Sequence, residues 1–192
     1  MAAEEIFTRI DMTKTETLHY EVTVSMLEIY NEKVADLILG KKGDEALKVK
    51  ENKVLGFYVE NLSKWPVLCY KDIEKKIDEG NKYRTIASTC MNNSSSRAHT
   101  ITTIEVRQIR KDGKGVTSKN STIHLVDLAG SERQSKTGAI GDRLKESCSI
   151  NKSLHVLGLV ISSLADKALG RAAKGMVVPY RDSVLTKILA NA

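Results

Sequence analysis

The stretch "STIHLVDLAGSER", from Ser121 to Arg133, joins an apolar strand to a turn. The strand carries the chain to Asp127, and Gly130 follows three residues later. An aspartate at a strand end can hold magnesium through water, and a glycine can direct its backbone N–H at a terminal phosphate with no side chain in the way. The pattern indicates a phosphate-sensing turn; the alternative is an ordinary strand that ends in an Asp-Gly turn.

A second polar stretch, "NNSSSRAH" from Asn92 to His99, lies upstream of the first. Serine hydroxyls can complete a magnesium shell or bind phosphate oxygens. Arginine can pair with a carboxylate or a phosphate through two parallel hydrogen bonds. Taken alone, the stretch is also typical of a polar surface loop. Between the two stretches, residues 100–110 and 120–128 alternate in polarity and are predicted to form a strand hairpin around the turn "KDGKG".

The composition is that of an ordinary soluble globular domain. The 192 residues are 41% hydrophobic and 28% charged, enough for one core or two small ones. No stretch approaches the roughly 18 apolar residues that span a bilayer, and the acidic, amphipathic start is not a signal peptide. Cys69, Cys90 and Cys148 are far apart with no CxxC pair, which favours reduced thiols inside a cell over disulfides or a zinc site.

The net charge of +6 is confined to one segment. Residues 1–132 contain 20 basic and 20 acidic side chains, whereas residues 133–187 contain 10 basic and 4 acidic ones. A segment that carries the whole excess is a candidate surface for an acidic partner. The alternative is a solvated basic face with no partner.

Periodicity and turn residues predict an α/β fold. The predicted helices cover residues 2–10, 31–39 (capped by Asn31), 70–88 (with Gly80 as its weak point), 141–166 and a segment that begins near 179, capped by Asp182 or Ser183. Residues 18–30 are predicted as a long strand, and residues 46–52 and 56–62 as a hairpin. Residues 40–45 and 167–177 are predicted as loops.

Two further motifs, "INKSL" (150–154) and "VPYRDSVLT" (178–186), follow the first two. Four motifs in this order resemble the kinesin motor domain. "NNSSSRAH" is similar to its switch I and "DLAGSE" to its switch II, while "INKSL" lies in the relay helix and "VPYRDSVLT" begins a microtubule-facing helix. The resemblance covers residues 1–192, which would form a partial motor domain somewhat larger than half of the motor core. It implies part of a P-loop NTPase fold, with a mixed central sheet flanked by helices.

The resemblance implies a nucleotide site for ATP and Mg²⁺. Ser96 and, through water, Asp127 would hold the magnesium. Gly130 would sense the γ-phosphate, and a salt bridge between Arg97 and Glu132 would close the two switches and help organise the attacking water. The remaining residues implied at the nucleotide are Asn92 and Ser95, near the phosphates, and Asn151, which connects the relay helix to the closed state.

The resemblance also implies that basic side chains meet the acidic surface of tubulin. These side chains are Arg133, Lys136, Lys145, Lys167, Arg171, Lys174 and Arg181, all within the +6 segment. The intact protein would work on cytoplasmic microtubules with ATP and ADP, and neither nucleic acid nor a membrane is expected as a direct partner.

Two departures from the family pattern stand out. Ala98 replaces a serine that the family commonly has, so we expect weaker ordering of the switch I loop with the chemistry retained. The valine of "RDSVLT" and the long basic loop before it are most similar to the kinesin-3 group. The continuous lysine run common in that group is interrupted here by Ala, Leu and Gly.

No G-x-x-x-x-G-K-[ST] loop, which cradles phosphates in this family, occurs in the sequence. The family's phosphate loop would lie upstream of Met1, and its closing strand and helix beyond Ala192. We therefore expect residues 1–192 alone to show no measurable ATPase activity. The alternatives are a microtubule-binding module without its own ATPase activity and a GTPase-like switch enzyme of another family.

Overall fold

The structure, a computed structural model, describes residues 2–40, 46–54, 56–90, 97–113, 115–130, 142–173 and 175–191, without the side chains of residues 2, 86–90 and 142–150. Its elements in chain order are α1 (Ala2–Thr13), β1 (Leu18–Tyr30), β2 (Lys33–Asp36), β3 (Val49–Asn52), β4 (Gly56–Val59), β5 (Trp65–Val67), α2 (Tyr70–Cys90), β6 (His99–Asp112), β7 (Gly115–Asp127), α3 (Asp142–Ala168) and α4 (Val184–Leu189). A single 3₁₀ turn, Tyr180–Asp182, precedes α4. The predicted α/β class is confirmed.

Strand β1 is the centre of the main sheet. It pairs with β6 along one edge and with β2 and β5 along the other, and β7 pairs with the far side of β6. All these pairs are antiparallel, and β3 and β4 form a separate two-stranded hairpin. The hairpins predicted for β3–β4 and β6–β7 are confirmed.

Helices pack on both faces of the main sheet, because the β1 side chains alternate between the faces. On one side, called the α2 face, Val22, Val24 and Met26 pack with Ile73 of α2 and with apolar residues of α1. On the other side, called the α3 face, Leu27 and Ile29 pack with apolar residues of α3 and α4. The prediction of a central sheet flanked by helices is therefore confirmed, although the predicted mixed sheet has only antiparallel pairs among its described strands.

The helix predicted for residues 31–39 is wrong. Asn31 and Glu32 adopt left-handed φ values of 50° and 60°, so β1 turns directly into β2 through a two-residue hairpin loop. The strand buries Val34 and Asp36, and the Asp36 carboxylate accepts backbone N–H groups that follow β2. Sheet pairing supplies backbone partners and burial that a short isolated helix lacks.

Gly80 does not interrupt α2. A Cβ atom at this position would overlap Sδ of Met26, so the glycine lets α2 approach β1 closely. The three-residue strand β5 was not predicted, because it is short and contains Pro66, a residue that strands tolerate at edges. Ser183, one of the two predicted caps, accepts the Thr186 N–H at the start of α4.

Candidate functional site

The pairing of β6 with β7 places the first two motifs beside each other. Thr100 near the start of β6 pairs with Asp127 at the end of β7. Because the strands are antiparallel, residues 97–99 lie opposite residues 128–130 at this end of the sheet. The backbone N–H of Ala129 confirms the proximity, since it donates to Nδ1 of His99 at 3.0 Å.

Asp127 belongs to a row of polar side chains across three strands. Glu28 of β1 pairs with Thr100, which pairs with Asp127, so all three point to the α2 face. Arg84 of α2 spans the row: its Nη1 donates to Oδ2 of Asp127 at 2.9 Å, and its Nε lies 3.8 Å from Oε1 of Glu28. The Asp127 side chain remains 66% exposed at the end of this row.

The degree to which each carboxylate of this row is buried sets its electrostatic environment. Glu28 is mostly buried, and this burial raises the pKa of its carboxyl group, while the charge of Arg84 lowers the pKa in part. The guanidinium of Arg84 therefore compensates a carboxylate on each side, one buried and one exposed. Sequence patterns did not single out Arg84 or Glu28; the available signal for Glu28 was a carboxylate within the apolar run of residues 26–30.

His99 is the second feature that the sequence analysis did not assign. It is buried on the α3 face, where its Nε2 lies 2.8 Å from Oγ of Ser153 on α3. Burial lowers the pKa of His99, and the charge of Asp127 opposes this shift to a smaller degree. The His99 ring is therefore neutral at neutral pH.

The other predicted nucleotide-site residues are described only in part. Arg97, Gly130 and Asn151 are half-buried, the first two at the paired strand ends and the third on α3, two residues before Ser153. Asn92, Ser95, Ser96 and Glu132 lie outside the described residues. Their roles, including the bridge between Arg97 and Glu132, stay predictions.

Three of the predicted filament-binding side chains are described, and all are exposed. Lys167 lies in the last turn of α3, and Arg171 follows the left-handed Gly170, where its N–H closes the helix on the Asp166 carbonyl. Arg181 donates from Nη2 to both carboxylate oxygens of Glu51, at 2.9 and 3.0 Å. The predicted residues Arg133, Lys136 and Lys174, and the side chain of Lys145, lie outside the description.

Asp127 fits a magnesium ion better than it fits a transition metal. Across the described ranges, no group of three or more His, Cys, Asp or Glu side chains is arranged to hold a metal ion. Side-chain oxygens at this strand end include the exposed Asp127 carboxylate and the buried Thr100 hydroxyl, whose oxygen has no hydrogen-bond partner among the residues that the structure describes. Magnesium prefers such oxygen ligands and is commonly held by one or two carboxylates, water and phosphate.

None of the described helices combines the length and apolar character needed to cross a bilayer.

Comparisons with known proteins identify sequence and structural relatives of the chain. The sequence model of the kinesin motor domain matches residues 1–192. Human kinesin-like protein KIF13A is 54% identical over 188 residues, which cover 97% of this chain and 10% of that protein. Kinesin-like protein unc-104 of Caenorhabditis elegans is 50% identical over 189 residues, covering 96% of this chain and 12% of that protein. These relatives confirm the similarity to the kinesin-3 group.

A solved structure shows the same fold. The structure of KIF14 with ADP in complex with a microtubule matches with a TM-score of 0.85 at 41% identity, covering 99% of this chain and 54% of the other. The chain thus spans about a tenth of the length of these curated relatives and about half of that solved motor.

Proposed function

Because the chain belongs to the kinesin motor domain family, we propose that it supplies the nucleotide switches and the filament-facing surface of an ATP-driven microtubule motor. The observation that carries this proposal is the pairing of Thr100 with Asp127, which sets residues 97–99 beside residues 128–130. Loops that respond together to one γ-phosphate need to converge on it, and this register provides the convergence.

The switch residues act on the terminal phosphate of ATP. Gly130 offers its backbone N–H to the γ-phosphate, and Arg97 pairs with Glu132 when the two loops close, which organises the attacking water. The remaining contacts come from Asn92 and Ser95 near the phosphates and from Asn151, which links α3 to the closed state.

Asp127 and Ser96 would hold Mg²⁺, Asp127 through water. When bound, the ion neutralises negative charge that develops on the phosphate oxygens. Arg84 occupies an Asp127 oxygen, Oδ2, in the structure. Arg84 thereby positions this carboxylate at the end of β7.

The filament-facing surface lies in the basic segment. The exposed cations Lys167, Arg171 and Arg181 suit the acidic surface of tubulin, and the solved KIF14 complex with a microtubule supports the same partner. The predicted contacts Arg133, Lys136, Lys145 and Lys174 extend this surface. The place of action that follows is the cytoplasmic microtubule.

A chimaeric motor tests the proposal. Residues 1–192 are joined to the remaining portions of the KIF13A motor domain, and ATP turnover is measured with and without microtubules. We expect turnover that requires Mg²⁺ and rises with microtubules, as in the unaltered KIF13A motor domain measured beside it. A chimaera that binds both ATP and microtubules but shows no stimulated turnover would contradict the proposal.

A further inference from the structure

His99 joins three elements through two hydrogen bonds. Its ring stands at the start of β6, Ala129 follows the end of β7, and Ser153 lies on α3. The partners are 30 and 54 residues away along the chain, so the arrangement exists only when the sheet and the helix have assembled. We call these three residues the His99 bridge.

The bond from Ala129 fixes the tautomer of the ring. Since Nδ1 accepts a backbone N–H, it carries no proton, and the single proton of the neutral imidazole lies on Nε2. Nε2–H therefore donates to Oγ of Ser153. An imidazolium would set its own Nδ1–H against the Ala129 N–H, and the burial that lowers the pKa of His99 disfavours that form.

The bridge is closed to water. His99 and Ser153 are each 2% exposed, and Ala129 is 6% exposed. A buried polar group that loses its partner finds no water to replace it, so breaking either bond is costly. The imidazole is planar and rigid. A displacement of Ala129 is therefore either passed on to Ser153 or breaks one of the two bonds.

We propose that His99 is a positioning residue that ties residues 127–130 to helix α3. The inference rests on the proposed motor function, because Gly130, the neighbour of Ala129, is the residue assigned to the γ-phosphate. When Gly130 moves toward a phosphate, the Ala129 amide moves with it and His99 transmits the displacement to Ser153. Ser153 lies on the buried side of α3 with Val156 and Val160, and Lys167 lies at the far end of the same helix.

The first test needs no nucleotide and uses the 192-residue chain. With ¹⁵N-labelled histidine, two-bond proton–nitrogen correlations at neutral pH should show His99 protonated on Nε2 only. A proton on Nδ1, or a doubly protonated ring, would overturn the bridge.

Two substitutions separate the two bonds in the same chain. His99→Asn keeps an acceptor near Nδ1 but is too short to reach Ser153, whereas His99→Gln keeps an N–H near Nε2 but loses the acceptor for Ala129. Amide exchange at Ala129 should stay slow in His99→Asn and in Ser153→Ala, and should rise about tenfold or more in His99→Gln. Equal exchange in all three variants would overturn the assignment.

The second test follows α3 in the chimaeric motor. Hydrogen exchange of residues 151–168 is compared between ADP and a non-hydrolysable ATP analogue. The unsubstituted motor should show a difference between the two nucleotide states, and His99→Asn and Ser153→Ala should lose most of it. Ser162→Ala, at an exposed position of the same helix, is the matched control and should keep the difference.

The outcomes are distinguishable. A merely structural role would raise exchange equally in both nucleotide states and leave their difference intact. A difference that survives in both bridge variants overturns the positioning role and leaves the proposed function standing. An unsubstituted chimaera that binds no nucleotide overturns both.

Discussion

Arg84 is the residue whose contacts define the α2 side of the candidate site. Its guanidinium lies between Glu28, whose side chain is 14% exposed, and Asp127, whose side chain is 66% exposed. The two contacts contribute differently to the free energy of unfolding. An exposed ion pair is screened by water and contributes little, whereas a buried carboxylate that loses its cation keeps the cost of its own desolvation.

We therefore expect Arg84→Met to lower the free energy of unfolding by about 1–3 kcal/mol at neutral pH, because Glu28 loses its compensating charge. Chemical denaturation of the chain measures this change. Glu28→Gln in the same background should restore part of the loss. Arg107→Met, which breaks the exposed pair with Glu21, is the control and should cost less than about 1 kcal/mol. Equal losses for the two arginines would contradict the account.

The histidines predict a pH dependence of stability. Burial lowers the pKa of His99 and His124 in the folded chain, whereas the unfolded chain has the ordinary value of about 6.5. Below that pH the unfolded state binds more protons, so the free energy of unfolding should fall as pH falls through about 6.5. Thermal unfolding measures the effect. His124→Gln should reduce the slope; a flat profile for the unsubstituted chain would refute the expectation.

Among the helices and strands, local sequence patterns predicted the elements in which apolar residues recur at a regular spacing. The alternation of residues 18–30 gave strand β1 with the bounds observed, and the apolar spacing of residues 141–166 gave α3 within two residues at each end. The helix predicted for residues 31–39 was wrong because the backbone partners of this segment lie on β1 and at Leu47, which local propensity does not represent. The sequence analysis did not predict the left-handed turn at Asn31 and Glu32 that joins β1 to β2.

Gly80 gives a test of helix–sheet packing. A methyl group there would meet Sδ of buried Met26, so Gly80→Ala should destabilise the chain by about 1–3 kcal/mol, less the gain in helix propensity. With Met26→Val, which makes room, the same change should become neutral or stabilising. Gly158→Ala in α3, where no atom of the described residues lies within 4 Å of an added Cβ, is the control and should stabilise by up to about 1 kcal/mol. Chemical denaturation that shows no difference between the two glycines would contradict the packing account.

At the scale of the whole molecule, motif order predicted the family, and strand register was needed to assemble the site. The sequence named Arg97, Asp127 and Gly130, but their proximity depends on the pairing of β6 with β7. The sequence analysis missed His99 and Arg84 because their importance lies in contacts with residues 30 to 56 positions away, which a linear pattern does not reveal. The basic segment was visible in the sequence because charge is a property of composition.

Filament binding should depend on where the positive charge lies. In cosedimentation with microtubules, Lys167→Gln with Arg171→Gln should weaken binding by the 192-residue chain about tenfold, and added salt should reduce the difference. Arg110→Gln with Lys119→Gln removes the same charge from exposed positions of the β6–β7 hairpin and is the matched control. Equal weakening by both pairs would mean that net charge alone, rather than this surface, holds the filament.

Residues 97–99 and 128–130 are proposed to form the phosphate-responsive part of a microtubule motor. The most direct measurement is microtubule-stimulated ATP turnover by the chimaeric motor with Gly130→Ala, whose added methyl group keeps the backbone N–H from the γ-phosphate. We expect stimulated turnover to fall about 100-fold, as for the loss of one preorganised donor, while ADP, which has no γ-phosphate, still binds. Stimulated turnover equal to that of the unsubstituted chimaera would contradict the claim.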